Sequence, residues 1–387
     1  MPDAVVVAAG RSPIGRAGKG SLVGWRPDDL GAHVVTKVLE QIPQLPRNEI
    51  EDLICGCGRP GGEQGFNLGR VVALLAGLNV PGTTVTRFCA SSLQTTRMAA
   101  HAITVGEGEV FLSVGIEMVS RFVNGMPDTA ENRNQRLAPG NPESLPDVYV
   151  AMGQTAENVS RREGISREEQ DRFALRSHER AVAAQDSGFF DREIIPVPLD
   201  DDALMTSDDG PRRGTSIDKL AALAPVFRED GTVTAGNSCP LNDGAAAVVV
   251  MSDSRARDLG ITPLARIVST GLGSLDPEYM GLGPITASRQ ALARAGMTID
   301  DIDVVELNEA FAAQVIPSAR GLGIDPFDDR LNPHGGSIAL GHPFGMTGAR
   351  VLCTLLNGLE AAGGQVGLET MCVGGGMGMA MILERLA

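Results

Sequence analysis

Between Gly244 and Met251 the chain reads Ala245-Ala246-Ala247-Val248-Val249-Val250, apolar throughout. The run falls far short of the roughly 18 apolar residues a membrane helix requires, so it predicts a strand buried in a protein interior. Ala4 to Ala9, ending at Gly10, has the same character and predicts a second buried strand. Further strands are expected at Leu53 to Cys55, Thr83 to Thr86, Val110 to Val114, Val304 to Leu307 and Val366 to Cys372. Helical stretches are expected near 30–42, 69–78 and 347–359, and onward from Cys89. At 387 residues the chain is longer than a single hydrophobic core usually serves, so two or three packed units are expected.

From about residue 118 to 240 the texture changes. Pro, Asp, Arg and Asn dominate, apolar runs are short, and two amphipathic helices are expected near 154–163 and 167–187. This region reads as an insertion laid over a core, the kind of segment that covers a binding cleft. The flanking α/β portions echo each other. Cys89 opens a helix followed by a turn at Gly106-Glu-Gly108 and a strand. Gly345 likewise precedes a helix, a turn at Gly363-Gly364 and a strand.

Charge narrows the function. Against 33 basic residues stand 48 acidic ones, a formal net charge of −15, which repels nucleic acid and anionic membranes at long range. One Trp and two Tyr are too few for a base-stacking platform. An anionic small ligand would need locally placed Arg or Lys. Met1-Pro2-Asp3 offers no basic leader, so neither a signal peptide nor a membrane span is expected. The six cysteines (55, 57, 89, 239, 353 and 372) are too sparse for a disulfide scaffold and read as free thiols in a reducing cytosol. Cys55-Gly-Cys57 lacks a second Cys/His pair at ligand spacing, so no metal is expected.

Four positions can carry chemistry. Cys89, at a strand-to-helix junction, would meet the free N–H groups and positive end of a helix, which favour the reactive thiolate. His342 lies in a stretch from Asn332 to Gly348 where five glycines bracket Ile338-Ala-Leu340, a density that suggests backbone folded against a ligand. Cys372 precedes Val373-Gly374-Gly375-Gly376; no Lys-Ser/Thr follows as in a phosphate loop, so the glycines would instead bare N–H groups beside a thiol. Asn308 follows a strand and, taken alone, reads as a helix cap.

Together these segments resemble the thiolase family. Its motifs occur in order: the segment around Cys89, Asn308-Glu-Ala-Phe-Ala312, Gly341-His342-Pro343 and Cys372-Val-Gly-Gly-Gly376. Met152-Gly-Gln-Thr-Ala-Glu-Asn158, Thr234-Ala-Gly-Asn237 and Leu241-Asn-Asp-Gly244 extend the likeness through the insertion. The resemblance implies an α/β thiolase-like fold of two duplicated halves, residues 1–117 with 241–262 and residues 263–387, with mixed sheets packed in layers. A loop domain, 118–240, is inserted in the first half and binds coenzyme A.

It further implies cleavage of 3-ketoacyl-CoA by CoA, or the reverse condensation, through an acyl-Cys89 intermediate. Cys372 is then the acid/base, suited by an ordinary thiol pKa of ~8.5. His342 activates Cys89 and, with a water held by Asn308, lines one oxyanion hole; the N–H groups of Cys89 and Gly374 form the other. Arg212, Ala235, Cys239, Leu241 and Met152 contact CoA, which is a co-substrate; no tightly bound cofactor is implied. A cytoplasmic homodimer or homotetramer is expected. Alternatives are a short-chain acetyl-CoA acetyltransferase, a condensing enzyme working on acyl carrier protein, or a non-catalytic acyl-CoA-binding paralogue.

Four positions depart from the commoner family pattern: Thr86 for Asn, Ser92 for Gly, Cys239 for Ser, and Ala151 where short-chain members often carry His. Ala151 leaves room for a longer acyl chain unless Met126, Met152 or Met280 fills the space.

Overall fold

The computed structural model describes residues 2–124, 130–140, 143, 145–200 and 203–387. Among the described residues twelve strands form: β1 Ala4–Arg11, β2 Gly15–Arg16, β3 Asp52–Cys57, β4 Gly82–Val85, β5 Val110–Met118, β6 Val197–Pro198, β7 Leu204–Met205, β8 Asn242–Ser252, β9 Ala265–Ser274, β10 Val304–Leu307, β11 Val366–Val373 and β12 Met377–Arg385. Every strand expected from the sequence is present, with ends shifted by a few residues. All but the small β6–β7 pair join one mixed sheet in the order β10-β11-β12-β9-β1-β8-β5-β3-β4, with β2 beside β8.

The duplication is visible in the strand directions. In the first half β3 runs parallel to β5, which pairs antiparallel with β8, which pairs antiparallel with β1. In the second, β10 runs parallel to β11, then β12 and β9 follow antiparallel. The halves meet where β1 pairs β9 at Val5↔Arg266 and Val6↔Ala265.

The apolar run of β8 now has its reason. Ala245, Ala247, Val249 and Met251 face a core that includes Leu30, Val34 and Val38 of the helix Pro27–Glu40. Ala246, Val248 and Val250 face the opposite layer. Both faces are covered, so alternation with polar residues is lost. The second layer is shared by the halves. Val6 and Val248 from one sheet half and Met371, Met379 and Met381 from the other enclose two central helices, Ser91–Val105 and Thr347–Ala362. These helices touch closely at Gly348, where a Cβ would stand 2.3 Å from the Leu93 nitrogen.

Between β5 and β8 lie the helices Met152–Glu163 and Arg167–Asp186, near the expected positions, and the short helix Ile217–Ala221. Among the described residues no helix is long and apolar enough to cross a membrane.

Candidate active site

Cys89 owes its place to a sharp turn. Phe88 adopts φ 45°, a left-handed backbone rare for an aromatic residue. Ser91 Oγ accepts from the Arg87 N–H at 2.9 Å and donates to the Phe88 carbonyl at 2.7 Å, closing the turn. The thiol follows in a 3-10 turn, Phe88–Ala90, directly ahead of the helix Ser91–Val105. It is half-buried in a cavity of about 310 Å³, whose walls include Phe88, Phe344, Val148, Ala151, Met152 and Gly374.

The helix start does not make this thiol acidic, contrary to the sequence expectation. Burial pushes Cys89 up to about 12, and the Glu117 carboxylate adds to the rise. The N–H groups of Cys89 and Gly374, both directed at the sulfur, pull it partly back. Desolvation of the anion, with the Glu117 charge, outweighs the two N–H groups. Alkylation of Cys89 by iodoacetamide, followed by peptide mapping, should therefore accelerate about tenfold per pH unit from about pH 7 to 10. A plateau near pH 8 would show a resting thiolate instead.

His342 is set by glycine. Gly341 takes φ 116°, and a Cβ there would stand 2.7 Å from the Asn242 side chain. The His342 N–H donates to Asn242 Oδ1 at 2.9 Å. The ring is fully buried, and that burial, with the Arg350 charge adding, drives it down to about 3. Its Nδ1 lies 2.7 Å from Thr347 Oγ1, which spends its only proton on the Pro343 carbonyl at 2.8 Å. Nδ1 must then be the protonated nitrogen, leaving Nε2 with a bare lone pair.

Asn308 caps no helix. The next helix begins at Ala312 with Phe311 at its N-cap, three residues too late. Ser337 Oγ instead donates to Asn308 Oδ1 at 2.5 Å, and the Nδ2 group points toward His342 Nε2 at 3.4 Å. The Asn308 N–H donates to the Thr370 carbonyl at 3.0 Å, tying this segment to β11 two residues before Cys372.

Cys372 is buried, and its thiol donates to Gln314 Oε1 at 3.4 Å. Burial first, then the neighbouring Cys89 and Cys239, hold it well above the ordinary thiol range. The ordinary thiol behaviour expected from sequence is thus not what this environment provides. Beyond it the chain turns through Gly375 and Gly376 at φ 80° and 82°. A Cβ on Gly376 would lie 2.2 Å from the Leu275 carbonyl oxygen, so that turn requires glycine.

The residues expected to contact CoA are dispersed. Met152 lines the Cys89 cavity and packs with Cys239 against a cluster containing Cys372, Met280 and Phe311. Met280 is buried there and accepts from Gln314 Nε2 at 3.5 Å, while Met126 lies outside the described residues. Ala235 and Leu241 are exposed. Arg212 borders a separate cleft of about 340 Å³ with His178, Asp186 and Arg213, sharing no residue with the Cys89 cavity. Glu117, Gln314, Ser337 and Thr347 were not singled out from sequence, although Ser337 and Thr347 lie within the glycine-rich stretch around His342 and Gln314 lies two residues past the Asn308–Ala312 motif.

Matches to known proteins fit this geometry. Residues 4–254 match the family model "Thiolase, N-terminal domain" and residues 261–385 "Thiolase, C-terminal domain". The chain is 43% identical to a 3-ketoacyl-CoA thiolase of Bacillus subtilis, over 99% of this chain and 100% of that protein. It is 42% identical to a beta-ketoadipyl-CoA thiolase of Acinetobacter baylyi over the full length of both. A crystal structure of the Bacillus anthracis acetyl-CoA acetyltransferase superposes with a TM-score of 0.90 at 37% identity, covering 100% of this chain and 99% of that one.

Proposed function

Since this chain belongs to the thiolase family and is an acyltransferase of thiolase type, we propose that it cleaves 3-ketoacyl-CoA with Cys89 as nucleophile and Cys372 as acid/base. The observation that carries the assignment is the convergence of the Cys89 and Gly374 N–H groups on the Cys89 sulfur, in an apolar cavity beside the second buried thiol.

Thiol and imidazole both rest neutral, so the Cys89 proton passes to His342 Nε2 as the sulfur attacks the 3-keto carbon. The bond between C2 and C3 then breaks, and the departing acetyl-CoA carbanion takes the Cys372 proton. Acyl transfer ends when CoA gives its thiol proton to the Cys372 sulfur, and the CoA sulfur displaces Cys89, which recovers its proton from His342. A raised Cys372 suits both halves of this cycle. It is fully protonated when a proton must be given, and its thiolate is more basic than an ordinary thiol of pKa ~8.5. The Cys89 and Gly374 N–H groups would hold the oxyanion of the acyl-enzyme, and His342 with a water held by Asn308 the thioester oxygen of acetyl-CoA.

CoA would reach the site beneath segment 118–240, with the two thiolase halves flanking it, as proposed from sequence. Met152 and Cys239 are the assigned contacts best supported by position. Arg212, in its own cleft, suits only the far nucleotide end. Six free thiols favour a cytoplasmic setting. A homo-oligomer is supported by the open edge strand β4, beside which Phe66, Leu74 and Leu75 stand exposed.

Ala151, which lines the cavity, supports a longer acyl group than acetoacetyl. Each buried methylene contributes ~0.8 kcal/mol, so kcat/KM for thiolysis should climb from four-carbon to medium-chain 3-ketoacyl-CoA. The assay is loss of the 3-ketoacyl-CoA enolate absorbance on adding CoA, across a chain-length series. An optimum at acetoacetyl-CoA would identify an acetyl-CoA acetyltransferase, and no turnover of any member would leave a non-catalytic paralogue.

A further inference from the structure

Behind the active site lies a buried polar cluster that the mechanism above does not use. Arg350, on the helix Thr347–Ala362, is fully buried. Glu306 on β10 and Glu369 on β11 are register partners on adjacent strands, are buried as well, and both feel its charge. Among the described residues, Arg350 Nε and Nη1, Glu306 Oε1 and both Glu369 carboxyl oxygens find no hydrogen-bond partner. Taking a guanidinium out of water at such poor satisfaction is costly, and apolar packing would serve a purely structural position better. Among the described residues the one side-chain hydrogen bond Arg350 makes is from Nη2 to Ser337 Oγ, at 2.7 Å.

That bond leads to the active site. A guanidinium only donates, so Ser337 Oγ accepts from it and has a single proton left to give. The proton goes to Asn308 Oδ1 at 2.5 Å, and an amide held by its oxygen turns its NH₂ group the other way, toward His342 Nε2. From the opposite side Thr347 leaves Nε2 as an acceptor, so a flipped amide would set oxygen against a lone pair.

We propose that Arg350 and Ser337 are positioning residues: a donor-only guanidinium fixes the Ser337 hydroxyl, which fixes the direction of the Asn308 amide that serves the oxyanion hole. The inference rests on the reading of Asn308 given above. Glu306 and Glu369 lie close enough to feel the cation that polarises the relay, but burial raises both carboxyl groups and neither hydrogen-bonds to it.

A double-mutant cycle on thiolysis tests it. Asn308→Ala should lower kcat about 10²-fold, the scale for losing one oxyanion-hole donor. Ser337→Ala should lower kcat at least ~10-fold with KM nearly unchanged, because the freed amide spends most of its time turned away. In the Asn308→Ala background, Ser337→Ala should add less than about twofold, since the relay has nothing left to orient. Arg350→Lys, still a pure donor, should retain more of kcat than Arg350→Met at matched melting temperature. Equal losses from Ser337→Ala in both backgrounds, or none in either, would sink the relay while leaving Asn308 in its role. Full activity of Asn308→Ala would instead remove the oxyanion reading, and the relay with it.

Discussion

Replacing Cys89 by alanine is expected to lower thiolysis by on the order of 10⁴-fold or more, since the covalent route loses its only acceptor atom. At 1.36 kcal/mol per tenfold, that is about 5 kcal/mol of transition-state stabilisation. The loss should appear in kcat, with substrate still bound, because the cavity walls at Phe88, Phe344 and Met152 are untouched. The complementary measurement is made on the unmodified protein. After brief exposure to acetyl-CoA, peptide mass mapping should find the acetyl group on the Cys89 peptide. The half-buried sulfur faces the Gly374 N–H, whereas Cys55, Cys57, Cys353 and Cys372 are fully buried. Acetyl found on another cysteine, with Cys89 unmodified, would overturn the assignment.

Cys372→Ala should lower steady-state thiolysis by about 10²–10⁴-fold, the range for losing a general acid/base. Its distinguishing mark is where the cycle stops. Cys89 keeps His342, the Gly374 N–H and its cavity, so acetyl-CoA should still acylate it, slowly. The acyl-enzyme should then persist when CoA is added, because nothing takes the CoA proton. The small cavity left beside Gln314, Met280 and Phe311 will destabilise the fold modestly, so activities should be compared well below the melting temperature. Near-normal thiolysis by Cys372→Ala would mean that the two-thiol mechanism is wrong for this protein.

Much of this was legible in the linear chain because the relevant physics is local. The runs of β1 and β8 announce burial on both faces. The helices 154–163 and 167–187 are visible through their apolar spacing and fall within a few residues of Met152–Glu163 and Arg167–Asp186. Glycines mark the two places where backbone must pass close to a reacting group, at Gly341 and at Gly374 to Gly376, since a Cβ at Gly341 or Gly376 would collide with neighbours. Cys89, His342, Cys372 and Asn308 stood out through the family motifs that contain them.

What the sequence by itself determined was therefore the element order, the duplication and the set of candidate reactive side chains. Tertiary structure alone decided their states. The acidity of Cys89 depends on Glu117, 28 residues away, and on Gly374, from the other half of the molecule. The tautomer of His342 depends on where Thr347 sends one proton, and the direction of Asn308 on Ser337 and Arg350. Reading Asn308 as a cap, Cys89 as a resting thiolate and Cys372 as an ordinary thiol each assumed a solvated neighbourhood of nearby residues. Proton affinity and hydrogen-bond direction answer instead to desolvation and to donors brought in from distant segments, and those exist only once the two halves have closed around the site.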